Sequence, residues 1–245
     1  MDPSVLRDDM VDSLEHESKG CLESESLSVA MRAVPRHEFL ADEQAAYADR
    51  PFEQFGTRVL APSTVARLLE PLAAEPEDSV LVVGAGVGYT AAVLAEIVGS
   101  EHVQAIDINR RIVYAARERL SQAGYEAVLV DCRDGAVGFA EYAPYDKILL
   151  EAAAVRPPQP LLEQLTADGQ LVMPLGTQQQ SIAVVEPDGS ATQLGGCAFE
   201  PMLVDGEQAG TLERNRMHRE DREFARRHAE RRRGWELDWI DWDGS

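Results

Sequence analysis

The chain has 245 residues, enough for one domain with a full core and some appendages. Acidic residues number 43 against 23 basic ones, a net charge of −20, which disfavours nucleic-acid binding by the body, while 44% hydrophobic residues argue against a disordered acidic chain. No apolar run approaches the ~18 residues of a membrane span, and the acidic start (Asp2, Asp8, Asp9) does not resemble a signal peptide, so no membrane role and a cytoplasmic location are expected.

Up to about residue 50 the pattern is helical. Ser24 to Ser28 form a polar cap region before Val29, Met31 and Val34, and Pro35 ends that segment. From about 51 to 205 strands and helices alternate. Ser79–Val83 is predicted as a strand, Thr90–Val98 as an apolar-rich helix ending at Gly99, and Val103–Asp107 as a second strand. Asn109 caps a helix with Ile112, Ala116 and Leu120 on one face, closed by Gly124. Strands are predicted at 127–130, 147–150 and 170–173, with a helix over 160–165. Residues 181–185 and 192–194, joined by Pro187-Asp188-Gly189-Ser190, read as a hairpin. Strands separated by helices predict an α/β fold, a doubly wound and mostly parallel sheet, and the closing hairpin adds one antiparallel strand. The expected division is 1–50 for an N-terminal helical segment packed on the core, 51–205 for the core, and 206–245 for a charged helical arm.

The chemistry concentrates at the carboxyl ends of the predicted strands, where a doubly wound sheet binds its ligand. Leu81-Val82-Val83-Gly84-Ala85-Gly86-Val87-Gly88 is an apolar run ending in closely spaced glycines, which let the backbone turn sharply and approach a ligand. Asp107 ends the next strand, where an acid can accept hydrogen bonds from ribose hydroxyls. The spacing is G-x-G-x-G rather than the G-x-G-x-x-G of dinucleotide sites, and it is similar to the first motif of class I S-adenosylmethionine (SAM) methyltransferases. That resemblance implies SAM as cofactor, with Gly84, Gly86, Gly88 and Asp107 as its contacts. Asp134, after the third strand, stands where an acid accepts from the adenine amino group. Val82 departs from the pattern: many such enzymes carry an acid there, touching the cofactor's amino acid end. The cysteines (Cys21, Cys132, Cys197) are scattered and lack a CxxC, so reduced thiols are expected. The histidines have no ligand-like spacing, and no metal is expected.

Further blocks narrow the resemblance. Met31-Arg32-Ala33-Val34-Pro35-Arg36-His37-Glu38-Phe39, Ala46-Tyr47-Ala48-Asp49-Arg50-Pro51, Tyr145-Asp146-Lys147-Ile148 and Leu171-Val172-Met173-Pro174-Leu175-Gly176 resemble segments of protein-L-isoaspartate O-methyltransferases. The resemblance runs from about residue 7 to 205. It implies methyl transfer from SAM to the free carboxylate of an isoaspartyl residue in a damaged protein or peptide. The departure lies at Gly56-Thr57-Arg58-Val59-Leu60-Ala61-Pro62-Ser63, where the family has a pattern close to GQTISAPHM. Arg58 takes the threonine place and Leu60 that of the serine bordering the substrate carboxylate. Ser63 takes the histidine place and is counted with the cofactor-binding residues. Leu60 has no hydroxyl, so either Arg58 grips the carboxylate in its stead, or the pocket has changed substrate or lost turnover. Only Lys19 and Lys147 are lysines, and an acidic, lysine-poor chain resembles proteins of halophilic archaea. At ~1 M salt the Debye length is about 3 Å, which screens such a surface.

From Glu213 to Arg233 there are nine arginines against five acids, followed by Trp235, Trp239 and Trp242 on one helical face. This arm is expected either to dock on the acidic body or to bind a partner or second subunit. Nothing aromatic interleaves with the arginines, which disfavours nucleic acid there too.

Overall fold

The computed structural model describes residues 2–16, 18–42 and 45–203; the 206–245 arm lies outside the described residues. Helix α1 (Pro3–Glu15) starts at Asp2, whose carboxylate accepts the Ser4 N–H, and α2 (Glu25–Ala33) starts at Ser24, whose hydroxyl accepts from Leu27. Val34 is extended, as a residue before proline prefers, and a 3₁₀ turn follows at Arg36–Phe39. A hairpin of β1 (Phe52–Gln54) and β2 (Thr57–Val59) turns through Phe55 and Gly56, both at positive φ. Helix α3 (Pro62–Leu69) leads into the sheet.

The sheet elements are β3 (Val80–Val83), α4 (Tyr89–Val98), β4 (Val103–Asp107), α5 (Arg110–Gln122), β5 (Leu129–Cys132), β6 (Tyr145–Leu150), α6 (Gln159–Leu162), β7 (Leu165–Gly176), β8 (Gln180–Val185) and β9 (Ala191–Cys197). They form one seven-stranded sheet in the order β5-β4-β3-β6-β7-β8-β9. Strands β3 to β7 pair in parallel, and β8 runs against both β7 and β9. This is the expected doubly wound sheet with one reversed strand. Each residue of β3 is buried, because packed side chains cover both faces of the sheet. Val80 and Val82 join a core shared with α1 to α5, whereas Leu81 and Val83 join Ile148, Leu150 and Leu171 in a second core on the other face.

Chain order runs outward from β3 to β5 in one direction and from β6 to β7 in the other. The order therefore reverses between β3 and β6, and a crevice opens outside their carboxyl ends. That reversal places the glycine turn, Asp107 and Glu151 of the candidate site around one opening.

Three local expectations shift. Strand β5 begins two residues later than predicted, because Tyr125 and Val128 are spent on the buried turn that leaves α5, with the Val128 N–H donating to the Tyr125 carbonyl. The 160–165 helix shortens to the single turn α6, since Leu165 is drawn into the sheet opposite Tyr145. Strand β7 is accordingly 12 residues long, with a register shift between Tyr145 and Lys147. The β1–β2 hairpin was not foreseen; it is two-stranded and too short for periodicity to reveal.

Candidate active site

A cleft of about 160 Å³ lies over the carboxyl ends of β3, β4 and β6, and Arg58, Leu60, Gly84, Gly86, Asp107 and Glu151 line it. Its floor is the glycine turn. Gly84 and Gly86 hold φ of 92° and 51°, which L side chains rarely adopt. The N–H groups of Gly84 and Ala85 both donate to the Ile106 carbonyl, at 2.8 and 2.9 Å, pinning the turn to β4. Gly88 has a different task. It starts α4, and a Cβ there would meet the Leu120 side chain at 3.1 Å, so its bareness serves helix packing.

Asp107 forms the β4 side. One carboxylate oxygen accepts the Gly86 N–H (3.2 Å) and the other the Asn109 N–H (2.8 Å). Burial raises its pKa, and these two N–H donors oppose the rise. The same carboxylate thus braces the glycine turn and borders the cleft. Asp134 accepts the Ala136 N–H at 2.8 Å in the turn after β5; its neighbour Gly135, rather than Asp134 itself, lines the cleft. A Cβ at Gly135 would lie 2.5 Å from a Val83 methyl, so the backbone approaches β3 as closely as it can. Ser63 sits in the first turn of α3, its N–H on the Asp49 carboxylate, and does not line the cleft.

Arg58 and Leu60 also line the cleft, the first exposed and the second half-buried. Leu60 is held from behind: its carbonyl accepts from Arg36 at 2.6 Å, and the same guanidinium donates to the Ala46 carbonyl at 2.8 Å. Arg36 is entirely buried, and its charged group lies over the face of Tyr89, 4.4 Å from the ring centre. Burial pulls the Arg36 pKa down and pushes that of Tyr89 up.

Behind Leu60 a small chamber of about 20 Å³, the size of one water molecule, adjoins the cleft. Arg36, Tyr89 and Glu151 all line it. Each carries an atom shielded from solvent with no hydrogen-bond partner among the described residues: Arg36 Nη1, the Tyr89 hydroxyl and Glu151 Oε1. Glu151 opens partly onto the cleft through the rest of its side chain. Desolvation pushes its pKa up to about 7, with Asp107 adding to the rise and Thr90 and Arg36 opposing it. Residue-by-residue reading missed Arg36, Tyr89 and Glu151 as site residues. The signal for Glu151 was present, an acid directly after an apolar strand, as Asp107 follows Val103–Ile106. Among the described residues no group of His, Cys, Asp and Glu is arranged to hold a metal ion.

A glycine turn and an acid at the point where strand order reverses define a class I methyltransferase-like, nucleoside-binding fold. The cleft fits a cofactor of that kind: its floor is bare backbone, and its β6 side ends in an acceptor that lacks a donor. Residues 7–207 match the family model described as Protein-L-isoaspartate(D-aspartate) O-methyltransferase (PCMT). The chain belongs to this family. It is 38% identical over 195 residues to the protein-L-isoaspartate O-methyltransferase of Methanothermobacter thermautotrophicus, covering 76% of this chain and 90% of that one. With protein-L-isoaspartate O-methyltransferase 2 of Archaeoglobus fulgidus it shares 43% over 165 residues, 66% of this chain and 75% of the relative. A solved protein-L-isoaspartate O-methyltransferase superposes with a TM-score of 0.70 at 25% identity, over 83% of this chain and 67% of that chain. A Plasmodium falciparum structure, titled a putative member in complex with S-adenosyl-L-homocysteine, also gives 0.70, over 79% of this chain and 96% of that chain; at 18% identity it speaks for the fold alone.

Proposed function

We propose that this chain transfers a methyl group from SAM to the free carboxylate of isoaspartyl residues in damaged proteins. The observation that carries the reading is the cleft itself, where the Gly84–Gly86 floor and Asp107 face Arg58 and Leu60 across one opening. SAM supplies an electrophilic methyl on a sulfonium. The substrate carboxylate, with an ordinary pKa near 4, is already ionised at neutral pH, so the protein needs no strong base. Its task is to exclude water and align the two groups, worth up to ~7–11 kcal/mol. In this reading Asp107 accepts from the ribose, Gly84 and Gly86 shape the turn beneath the cofactor, and Asp134, beside the cleft-lining Gly135, accepts from the adenine amino group. Arg58 draws in the substrate carboxylate by a charge-assisted bidentate contact, which orients it and also blunts its nucleophilicity. The test is labelled methyl transfer to an isoaspartyl peptide in molar salt, with the aspartyl peptide as control. Transfer to the isoaspartyl peptide alone is the expected result, and equal or absent transfer to both would sink the proposal. Leu60 favours one second reading, a member that binds SAM but methylates another substrate or none; SAM binding without transfer to either peptide would select it.

Asp107→Ala is expected to weaken SAM binding by about 1–3 kcal/mol, the loss for removing a partner from buried hydrogen bonds. Calorimetry on the folded variant checks this, and an unchanged affinity would move the ribose contact elsewhere.

The acidic balance and the scattered cysteines support a cytoplasmic setting at high salt, where only close contacts and apolar burial persist. We propose that the 206–245 arm either covers the acidic body or associates with a partner or a second subunit. Its tryptophans would each remove roughly 150–250 Å² from water and would dominate over its arginines there. Truncation after Asp205 should preserve SAM affinity, and a sedimentation coefficient that falls by more than the lost mass explains would show that the arm joins subunits. Loss of SAM binding in a folded truncate would instead make the arm part of the active site.

A further inference from the structure

We infer that Glu151 binds the α-ammonium group of SAM, taking over from β6 the task that an acid on β3 would perform. The inference rests on the reading that the cleft takes SAM. Position 82, where the resemblance to class I methyltransferases implies an acid at the cofactor's amino acid end, holds a valine with 0% exposure, its side chain committed to the core. Strand β6 lies beside β3 in parallel register, with Val83 opposite Leu150, and the Glu151 N–H donates to the Val83 carbonyl at 2.8 Å. Glu151 is therefore the first residue past β6, level with Gly84. A Cβ on Gly84 would lie 3.4 Å from that of Glu151, so the carboxylate leaves the backbone directly at the glycine turn. It stands at the topological switch point, on the far side of β3 from Asp107. Two strand spacings, about 9–10 Å, separate the tips of β4 and β6. An elongated ligand with its ribose at Asp107 and running across the glycine floor brings its other end to Glu151.

The chemistry of the orphaned atom selects the ammonium. Oε1 is screened from solvent and has no hydrogen-bond donor among the described residues. Glu151 borders the cleft as well as the small chamber it shares with Arg36 and Tyr89, so the carboxylate keeps acceptor capacity for a ligand N–H at the glycine turn. SAM carries two cationic centres. The sulfonium has no hydrogen to donate, whereas the ammonium has three and can form a charge-assisted hydrogen bond. Arg36 and Arg58 border the same chamber as Glu151, but neither makes a hydrogen bond or ion pair with it. Arg36 spends Nε and Nη2 on the Ala46 and Leu60 carbonyls and leaves Nη1 without a partner among the described residues, and Arg58 is exposed. A contact of this kind is shielded from mobile ions and survives molar salt, unlike attraction at the surface.

Calorimetry with three ligands tests the assignment: SAM, S-adenosylhomocysteine, and 5′-methylthioadenosine, which has the nucleoside but no amino acid. In the folded E151Q variant the first two should each bind about 10–100-fold more weakly, and the third within about twofold of native. Equal loss for all three would mean that Glu151 merely shapes the cleft. Loss for SAM but not S-adenosylhomocysteine would put the carboxylate at the sulfonium. No loss would remove Glu151 from the site while leaving the cofactor reading intact, and a native protein that binds none of the three would overturn both. Proton release provides a second readout. Glu151, bordered by Asp107 on β4, Tyr89 and Thr90 on α4, Arg36 and Arg58, should pass from protonated to paired anion when the ammonium arrives near pH 6 to 7. Native protein should release protons into buffer on binding SAM, and E151Q should release fewer; equal release by both would overturn the assignment.

Discussion

Arg36→Ala should destabilise the protein by about 3–5 kcal/mol, among the largest losses a single substitution can cause. The guanidinium is wholly buried and donates to the carbonyls of Ala46 and Leu60, so its removal strands two acceptors in the interior at about 1–3 kcal/mol each. It also vacates the volume of the largest fully buried side chain and ends the stacking on Tyr89. One effect opposes the loss: burial of the charge is itself unfavourable and depresses the Arg36 pKa. It does not prevail, because the carbonyls remain after the charge has gone. For a chain of this length the loss corresponds to a melting temperature lower by ~6–20 °C. Arg36→Met, which keeps the stem and volume, should fall between native and alanine. Thermal unfolding of the three proteins at one salt concentration decides it. A loss below 1 kcal/mol in Arg36→Ala would show that the two carbonyls find other donors and that Arg36 does not anchor Leu60.

The fold was largely legible because its main elements are long and strongly patterned. Val103–Asp107 is a buried run, apolar but for Gln104, that ends in its acid, and α5 carries its cap, apolar face and closing glycine in sequence, so both match the expectation residue for residue or nearly so. The errors fall where tertiary pairing overrides local pattern. Leu165 reads as the end of a helix until Tyr145 is placed opposite it, and 129–132 becomes a strand only in register with β4. The site divides in the same way. Gly84, Gly86 and Asp107 could be read from spacing because one βαβ unit brings them together within about 25 residues. Glu151 and Arg36 could not, since they come from segments over 100 residues apart and meet only through the sheet and the 3₁₀ turn. Arg36 was visible as part of a motif, but a motif does not say that its guanidinium is turned inward to hold the backbone of Leu60.

That backbone contact makes Leu60→Ser informative, and the variant is expected to raise isoaspartyl methylation by about 10–100-fold while lowering stability. The main chain at position 60 is fixed by Arg36, independently of the side chain, so a serine there inherits a held position on the cleft wall. Its hydroxyl would give the substrate carboxylate a neutral hydrogen bond, which orients the carboxylate with less damping of its nucleophilicity than the salt bridge to Arg58. A gain of that size is well within what improved alignment supplies. Stability should move the other way. Leu60 is half-buried against the core, and its loss costs about 1–2 kcal/mol of apolar burial. Opposite signs in the two measurements separate a specific gain at the site from a general change in the protein. SAM affinity, measured alongside, should stay within about twofold, because Leu60 carries no group assigned to the cofactor and its main chain stays held by Arg36. If Leu60→Ser binds SAM normally, unfolds at the lower temperature expected and still fails to methylate the isoaspartyl peptide, alignment by a hydroxyl is not what the pocket lacks. The divergence then extends to Arg58 and the β1–β2 hairpin that carries it, and the substrate should be sought among carboxylates or other nucleophiles that suit an exposed guanidinium at the cleft rim.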